Sequence, residues 1–427
     1  MNKFDVAIIG GGPAGSAAGS LLARAGKSVV IVEREIFPRF HIGESLIPFG
    51  NDVLREMGVW NELENSGFMK KLGAEFTLSN SCGFQRFWFR NNLGPNHART
   101  FQVERAKFDS ILLNHALHSG CEIRQPALVE SIEWSDHQAL VTIRSPEGSE
   151  AFAASYVIDA SGRDAWIGKK LNLPKSDLGL SKKMAVFAHF ENAYRNEGEA
   201  EGHITIIRME EGWFWMIPLD EKKTSVGIVL NQEKLKSCGP DLESRFWNRV
   251  NASSEASFRL KNAKLIGDFH AATDYSYRYH QSAGDRWIMA GDAAGFIDPI
   301  FSSGVMVALR SGRLAAQTIL AQPSHEKLSR KVQARYTAKI HQMTGVFLKM
   351  IELFYDNDAF AVFMNPRSLF KLRETINCLV AGQTEMSFGF KCRFQLFQIL
   401  SWLQRRITIA PRLFFEEPVK STSSAKP

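Results

Sequence analysis

A glycine-rich turn between an apolar run and an alanine-rich run constrains this chain more than any other feature. Residues 4–9, Phe-Asp-Val-Ala-Ile-Ile, form a short apolar stretch of the kind buried in a parallel sheet. Gly10-x-Gly12-Pro13-Ala14-Gly15 follows at once, and Ala14 to Ala25 reads as a helix that Gly26 stops. Ser28-Val-Val-Ile-Val32 is a second apolar strand, ending at Glu33. The order strand, turn, helix, strand makes a β-α-β unit with an acidic residue about 20 residues beyond the glycines. In such a turn one glycine permits the bend, one lets the backbone approach a pyrophosphate, and one lets helix pack against strand. The helix N-terminus adds amide donors and partial positive charge, and Glu33 can accept hydrogen bonds from an adenosine ribose. The unit predicts an α/β, Rossmann-like domain that binds an adenine dinucleotide.

A chain of 427 residues has room for two intergrown domains and a tail. The formal charge of +7 favours acidic partners, such as a phosphate-rich cofactor or an acidic carrier protein. No Lys/Arg block interleaves with aromatics, so nucleic acid is not an expected partner. Cys82, Cys121, Cys238, Cys378 and Cys392 lie far apart, without C-x-x-C or nearby histidines in ligand spacing. They read as free thiols in a reducing compartment, with no metal site. The start runs directly into a strand without signal-peptide features, and no run approaches the roughly 20 apolar residues that span a bilayer. A cytoplasmic protein is expected.

Residues 1–73, 101–182 and 265–327 are assigned to a discontinuous nucleotide-binding domain. Alternating aromatic and polar segments, such as Phe84-Gln-Arg-Phe-Trp-Phe89, place an inserted antiparallel sheet at 74–100 and 183–264. Substrates commonly lie where such domains meet. Residues 328–427 form a helical C-terminal region, with Lys420 to Pro427 expected to be disordered.

Trp213-Phe-Trp215-Met-Ile217-Pro218 reads as an aromatic strand whose period of two sets Trp213, Trp215 and Ile217 on one face. Much later comes Phe296-x-x-Pro299-x-x-Ser302-x-Gly304. With the glycine turn, these patterns resemble the flavin-dependent halogenases, in family order and over most of the chain. Three further segments resemble hydroxylase-type FAD monooxygenases: Val157-Ile-Asp159-Ala-Ser-Gly162-Arg163, Gly291-Asp292-Ala-Ala-Gly295, and Phe101-Gln-Val-Glu-Arg105-x-x-Phe108-Asp109. Taken singly, Asp159 could instead cap a turn and Asp292 the following helix, the lesser reading of each. Pro38-Arg39-Phe-His41-Ile-Gly43-Glu44-Ser45 resembles a segment that lines the flavin, with His41 read as structural.

The resemblance implies FAD held by Gly10, Gly12, Pro13, Ala14, Gly15, Glu33, Arg39, Gly43, Glu44, Ser45, Arg105, Asp159, Gly162, Gly291, Asp292 and Pro299. No second glycine fingerprint for NAD(P)H is present, so FADH2 from a separate flavin reductase is expected. In the family, the flavin C4a-hydroperoxide oxidises chloride or bromide to hypohalous acid, with O2 as co-substrate. Backbone amides after Ser302, here of Ser303 and Gly304, hold the halide. Trp213, Trp215 and Ile217 form a wall that keeps the organic substrate from the flavin, and Trp213, Trp215, Pro218 and Ser302 are implied as catalytic residues.

Lys71, in Phe68-Met-Lys70-Lys71-Leu-Gly73-Ala74, resembles the family lysine that carries the halogen onward. Adjacent lysines more often mark a solvated face. One departure narrows the substrate: tryptophan halogenases place a glutamate before the loop serine, and this chain has Phe301. A phenol or pyrrole, free or tethered to a carrier, is expected instead of an indole. Phe354-Tyr355-Asp356, Phe360 and Leu379-Val-Ala-Gly382 resemble the helical region of such members. An aromatic hydroxylase, a geranylgeranyl-reductase-like enzyme and a flavin-binding module without turnover stay open. Phe394 to Trp402, followed by Arg405 and Arg406, reads as a core-packing helix or a peripheral membrane contact.

Overall fold

Two seven-stranded sheets, two small sheets of three and two strands, and a helical C-terminal layer make up the structure, a computed structural model that describes residues 2–415 apart from Cys82, Asn92, Tyr275, Ser324, Arg367 and Ser368. The expected disorder of Lys420 to Pro427 lies outside the described residues. The first sheet begins where the glycine turn requires. Lys3–Ile9 pairs in parallel with Val29–Val32 on one side and with Gly148–Asp159 on the other. Glu122–Arg124 extends the sheet beyond Val29–Val32, and Trp287–Met289 pairs in parallel with the end of Gly148–Asp159. The inner strands are buried on both faces, which explains their unbroken apolar sequence.

The second sheet is the inserted one. Its order is Lys264–Asp274, Lys183–Glu191, Lys223–Asn231, Trp213–Pro218, Ile204–Arg208, Gly73–Leu78 and Phe84–Trp88. All pairs are antiparallel except Ile204–Arg208 with Gly73–Leu78. Lys264–Asp274 hydrogen-bonds along Lys183–Glu191, so the sheet continues past the boundary drawn at 264 from the sequence.

Alternation along the strands gives this sheet two faces. Phe214, Met216, Ile207 and Ile228 pack under the helices Leu242–Asn251 and Ser254–Leu260. Trp213, Trp215, Ile217, Ile206 and Phe76 face the main core. The helices Arg330–Tyr355, Asn357–Met364, Leu372–Val380 and Phe388–Gln404 follow, and Phe347, Phe354, Phe360 and Phe363 join the same core. In the last helix Phe390, Phe394 and Phe397 turn inward, while Ile399 and Trp402 face out. No helix of the described residues is long and apolar enough to cross a membrane.

Candidate active site

The dinucleotide turn sits where the sequence places it. Pro13 opens the helix Pro13–Arg24 at its first turn, and Gly12 caps it without a side-chain bond, leaving the amides of that turn free of a side-chain cap. Glu33 accepts from the Gly11 amide at 2.7 Å and from the Glu35 amide at 2.9 Å, which holds its carboxylate against the turn. The later segments gather around this point. A methyl group built on Gly291 would lie 3.3 Å from the Ala14 Cβ, and one on Gly12 would lie 3.6 Å from Arg39 Nη2. Arg39 reaches Asp109 at 3.3 Å, and Asp109 is clasped by Arg105 through bonds of 2.7 and 2.8 Å. Arg105 also donates to the Ile42 carbonyl, at 2.9 Å, beside Gly43.

Two acidic residues in this group behave differently. Asp159 is fully committed to its own turn, accepting from the Ser161 amide and hydroxyl and from the Ile167 amide at 2.7 Å. Gly162 follows in a left-handed conformation. The Asp292 carboxyl, in contrast, accepts no hydrogen bond among the described residues, and only the backbone carbonyl of Asp292 accepts one, from the Tyr277 hydroxyl at 2.7 Å. Burial raises its carboxyl to about 6, opposed by the charges of Arg163 and Arg105. A carboxyl without a donor, beside a helix N-terminus with open amides, is the chemistry a ribityl hydroxyl and a pyrophosphate would complete. The residues fit FAD.

The Trp213–Pro218 strand is fully buried. Trp213 and Trp215 lie on one face with ring centroids 5.8 Å apart, and Trp215 Nε1 donates to Ser225 Oγ at 3.1 Å. Pro218 ends the strand opposite Thr224. The neighbouring strand is shaped to the indole: a Cβ on Gly227 would fall 2.3 Å from Trp215 Cζ2. Gly227→Ala is therefore expected to displace the Trp215 ring and lower stability by about 1–3 kcal/mol. Thermal unfolding alongside near-ultraviolet circular dichroism checks this.

The Phe296–Gly304 loop ends in a tight turn. Pro299–Phe301 is a single helical turn, Ser302 is left-handed with φ of 55°, and Ser303 precedes the 17-residue helix Gly304–Leu320. Ser303 makes no side-chain cap, so the first amides of a long helix point out unsatisfied by that residue. A Cβ built on Gly304 would meet nothing within 4 Å, so there is open space on that side of the residue. Phe301, where a tryptophan halogenase has glutamate, is buried among aromatic rings. Its centroid lies 6.0 Å from Phe354, 6.3 Å from Phe76 and 6.4 Å from Phe363.

Lys71 is not on a solvated face. It ends the short strand Met69–Lys71 with 1% of its surface exposed, and Nζ donates to Ser45 Oγ at 2.8 Å and to the Leu46 carbonyl at 2.7 Å. Burial lowers its pKa to about 7. Ser45 thus joins the lysine to the Gly43-Glu44-Ser45 segment, whose Glu44 is buried and bonded to His189 at 2.9 Å. Lys70, its neighbour, is exposed. His41 contacts the Ile42 carbonyl through Nδ1 at 2.6 Å and touches none of these groups through a hydrogen bond.

Several polar residues here escaped the sequence reading. His203 is 1% exposed, both ring nitrogens lack a partner among the described residues, and burial followed by the charge of Lys71 lowers its pKa to about 3. Gln102 is buried with an unpartnered Oε1. Arg208, cross-strand from Trp213, is buried and donates to the carbonyls of Phe354 and Tyr355 at 3.3 Å. Asp298 bonds Tyr355. The signal for Asp298 lay inside the quoted loop, at a position its pattern leaves free.

Fold and site together define a flavoprotein with the hydroxylase-type FAD-binding architecture. Residues 3–346 match the FAD binding domain family. Over 391 residues, 86% of this chain and 87% of the relative, the sequence is 34% identical to the 1H-pyrrole-2-carbonyl-(peptidyl-carrier protein) chlorinase of Pseudomonas fluorescens. It is 35% identical over 323 residues, 75% of this chain and 78% of the relative, to the corresponding brominase of Pseudoalteromonas luteoviolacea. The structure of the flavin-dependent brominase Bmp2 superposes with a TM-score of 0.84 at 26% identity, covering 95% of this chain and 100% of that one. The chain belongs to the flavin-dependent halogenases, and is an oxidoreductase of that family rather than a hydroxylase or a geranylgeranyl-reductase-like enzyme.

Proposed function

We propose that this protein halogenates an electron-rich ring, foremost a pyrrole held as an acyl thioester on an acidic carrier protein, with free phenols and pyrroles as lesser substrates. The names of its two relatives support the tethered pyrrole, and the +7 charge suits an acidic carrier. Phe301 supports a ring that activates itself, because a phenyl ring stands where a tryptophan halogenase has its indole-orienting glutamate, and Asp298, elsewhere in the loop, is engaged by Tyr355 and the Ile300 amide. When bound, reduced FAD from a separate reductase supplies the electrons that, with O2 and chloride or bromide, yield hypohalous acid. The amides of Ser303 and Gly304 hold the halide, and the Trp213 and Trp215 indoles bar the organic ring from the flavin side.

Lys71 then takes the halogen. Its nitrogen lone pair forms the N–X bond as X–O breaks, and the hydroxide leaves as water with the amine proton. The ring's π electrons attack X, the N–X pair returns to Nζ, and the proton lost by the ring carbon passes to Nζ, which restores the aromatic ring and the neutral amine. The observation that carries this reading is the burial of Lys71, which makes a neutral amine available near pH 7.

The sign of the pH dependence follows. The folded-state value, about 7, lies below the ordinary 10.5, so the charged form is penalised by folding. Below about pH 7 the nitrogen is protonated and its lone pair is unavailable, so halogenated product per oxygen should rise through about pH 7 and level off by about pH 8. The same burial costs stability, fully at low pH, and the cost fades as pH rises toward the ordinary lysine value. A coupling ratio that falls across this window contradicts the amine mechanism.

The test of function supplies purified protein with reduced FAD, O2 and either halide, then carrier-tethered pyrrole or free phenols and pyrroles, and reads halogen isotope patterns by mass spectrometry. Halogenated pyrrole on the carrier is expected. Hydroxylated product independent of halide, or saturated product without oxygen, overturns the reading.

A further inference from the structure

We propose that Tyr355 is a positioning residue that pins the Trp213 indole to the halide loop through Asp298. Trp213 Nε1 donates to Tyr355 Oη at 2.9 Å, and Tyr355 Oη donates to Asp298 Oδ2 at 2.7 Å. Asp298 Oδ1 accepts from the Ile300 amide at 3.0 Å, inside the turn that carries Pro299 and Phe301. Three elements distant in sequence thus meet in one chain of hydrogen bonds: the wall strand, the last residue of the helix Arg330–Tyr355, and the halide loop.

The network is costly to build without a use. Asp298 is 0% exposed, and burial raises both its carboxyl and the Tyr355 phenol above their ordinary ranges. A carboxyl in such a place is tolerated only when its bonds are complete. Its surroundings hold it in place: Lys183 Nζ lies 4.2 Å from the Tyr355 ring centroid, and Arg208 ties down the carbonyls of Phe354 and Tyr355. An apolar side chain could fill the same volume. What the bonds add is a fixed angle for the indole relative to the loop assigned to the halide. The C-terminal helix therefore takes part in the site although it adds no reacting group.

This inference rests on the halogenase mechanism above, and its test separates the two. Tyr355→Phe keeps the ring and removes the hydroxyl. The share of consumed oxygen recovered as halogenated ring should fall about fivefold, and the share captured by a soluble β-diketone trap for hypohalous acid should rise in step. In a Trp213→Phe background the same change should add nothing, because the residue acts through that indole. Ultraviolet resonance Raman of the protein without flavin should show one indole N–H losing its hydrogen bond in Tyr355→Phe. If that variant does not fold, Asp298→Asn is expected to give the same fall. An unchanged share, an equal fall in both backgrounds, or an unaltered indole band overturns the positioning role and leaves the halogenase reading standing. Absence of halogenated product from the parent protein overturns that reading instead, while the Raman result still decides the bond.

Discussion

Replacing Lys71 by alanine is expected to lower halogenated product about a thousandfold while oxygen consumption by the reduced-flavin protein stays within about twofold of the parent. The asymmetry is the point. Lys71 bonds Ser45 and Leu46, and none of its hydrogen bonds reaches the glycine turn or the halide loop; Ser45 is its one contact with the segment assigned to flavin, so oxidant formation is expected to survive its loss. Hypohalous acid made without a lysine to receive it leaks to solvent, where a trap can count it. Lys71→Met, which keeps most of the buried stem without the nitrogen, should behave alike and separates lost chemistry from lost packing. Product by mass spectrometry, oxygen by electrode and thermal unfolding of each variant complete the measurement. Retained product in either variant would remove Lys71 from the mechanism.

The second large effect is on cofactor binding. Gly15→Ala is expected to weaken FAD retention by at least about a hundredfold, because no rotamer relieves a Cβ. Such an atom would lie 1.9 Å from the Gly10 carbonyl oxygen and 3.2 Å from Ile8 Cγ2. The helix Pro13–Arg24 must then move off the strand Lys3–Ile9, and its N-terminal amides move with it. Flavin absorbance after gel filtration reads the loss, and circular dichroism establishes that the sheet persists. A variant that keeps FAD at parental affinity would show that the turn tolerates separation of helix and strand.

Much of this architecture could be read from single residues and their periods. The β-α-β unit follows from an apolar run, three glycines and an alanine-rich run, and the two faces of Trp213–Pro218 follow from strand alternation alone. Lys71 was distinguishable from Lys70 only by register, since a pair of lysines has no intrinsic reason to be buried. The hydrogen-bond chain was not legible. Trp213 and Tyr355 are 142 residues apart, Tyr355 and Asp298 are 57 apart, and nothing local to any of them encodes the pairing. Asp159 was legible in both its readings: its motif resembles a flavin segment, and the structure engages its carboxylate in three bonds, to the Ser161 amide and hydroxyl and the Ile167 amide, the capping role that the sequence also allows. The sheet boundary near 264 was missed because strand Lys264–Asp274 carries alternating polar residues that read equally well as an edge or a connection.

The measurement closest to the central claim is a single turnover without any aromatic acceptor, quenched fast and mapped by peptide mass spectrometry. Delivery of electrophilic halogen to one buried amine predicts a chlorine or bromine isotope pattern on the peptide bearing Lys71, absent from Lys71→Met. Halogen spread over exposed lysines, with none at Lys71, contradicts it.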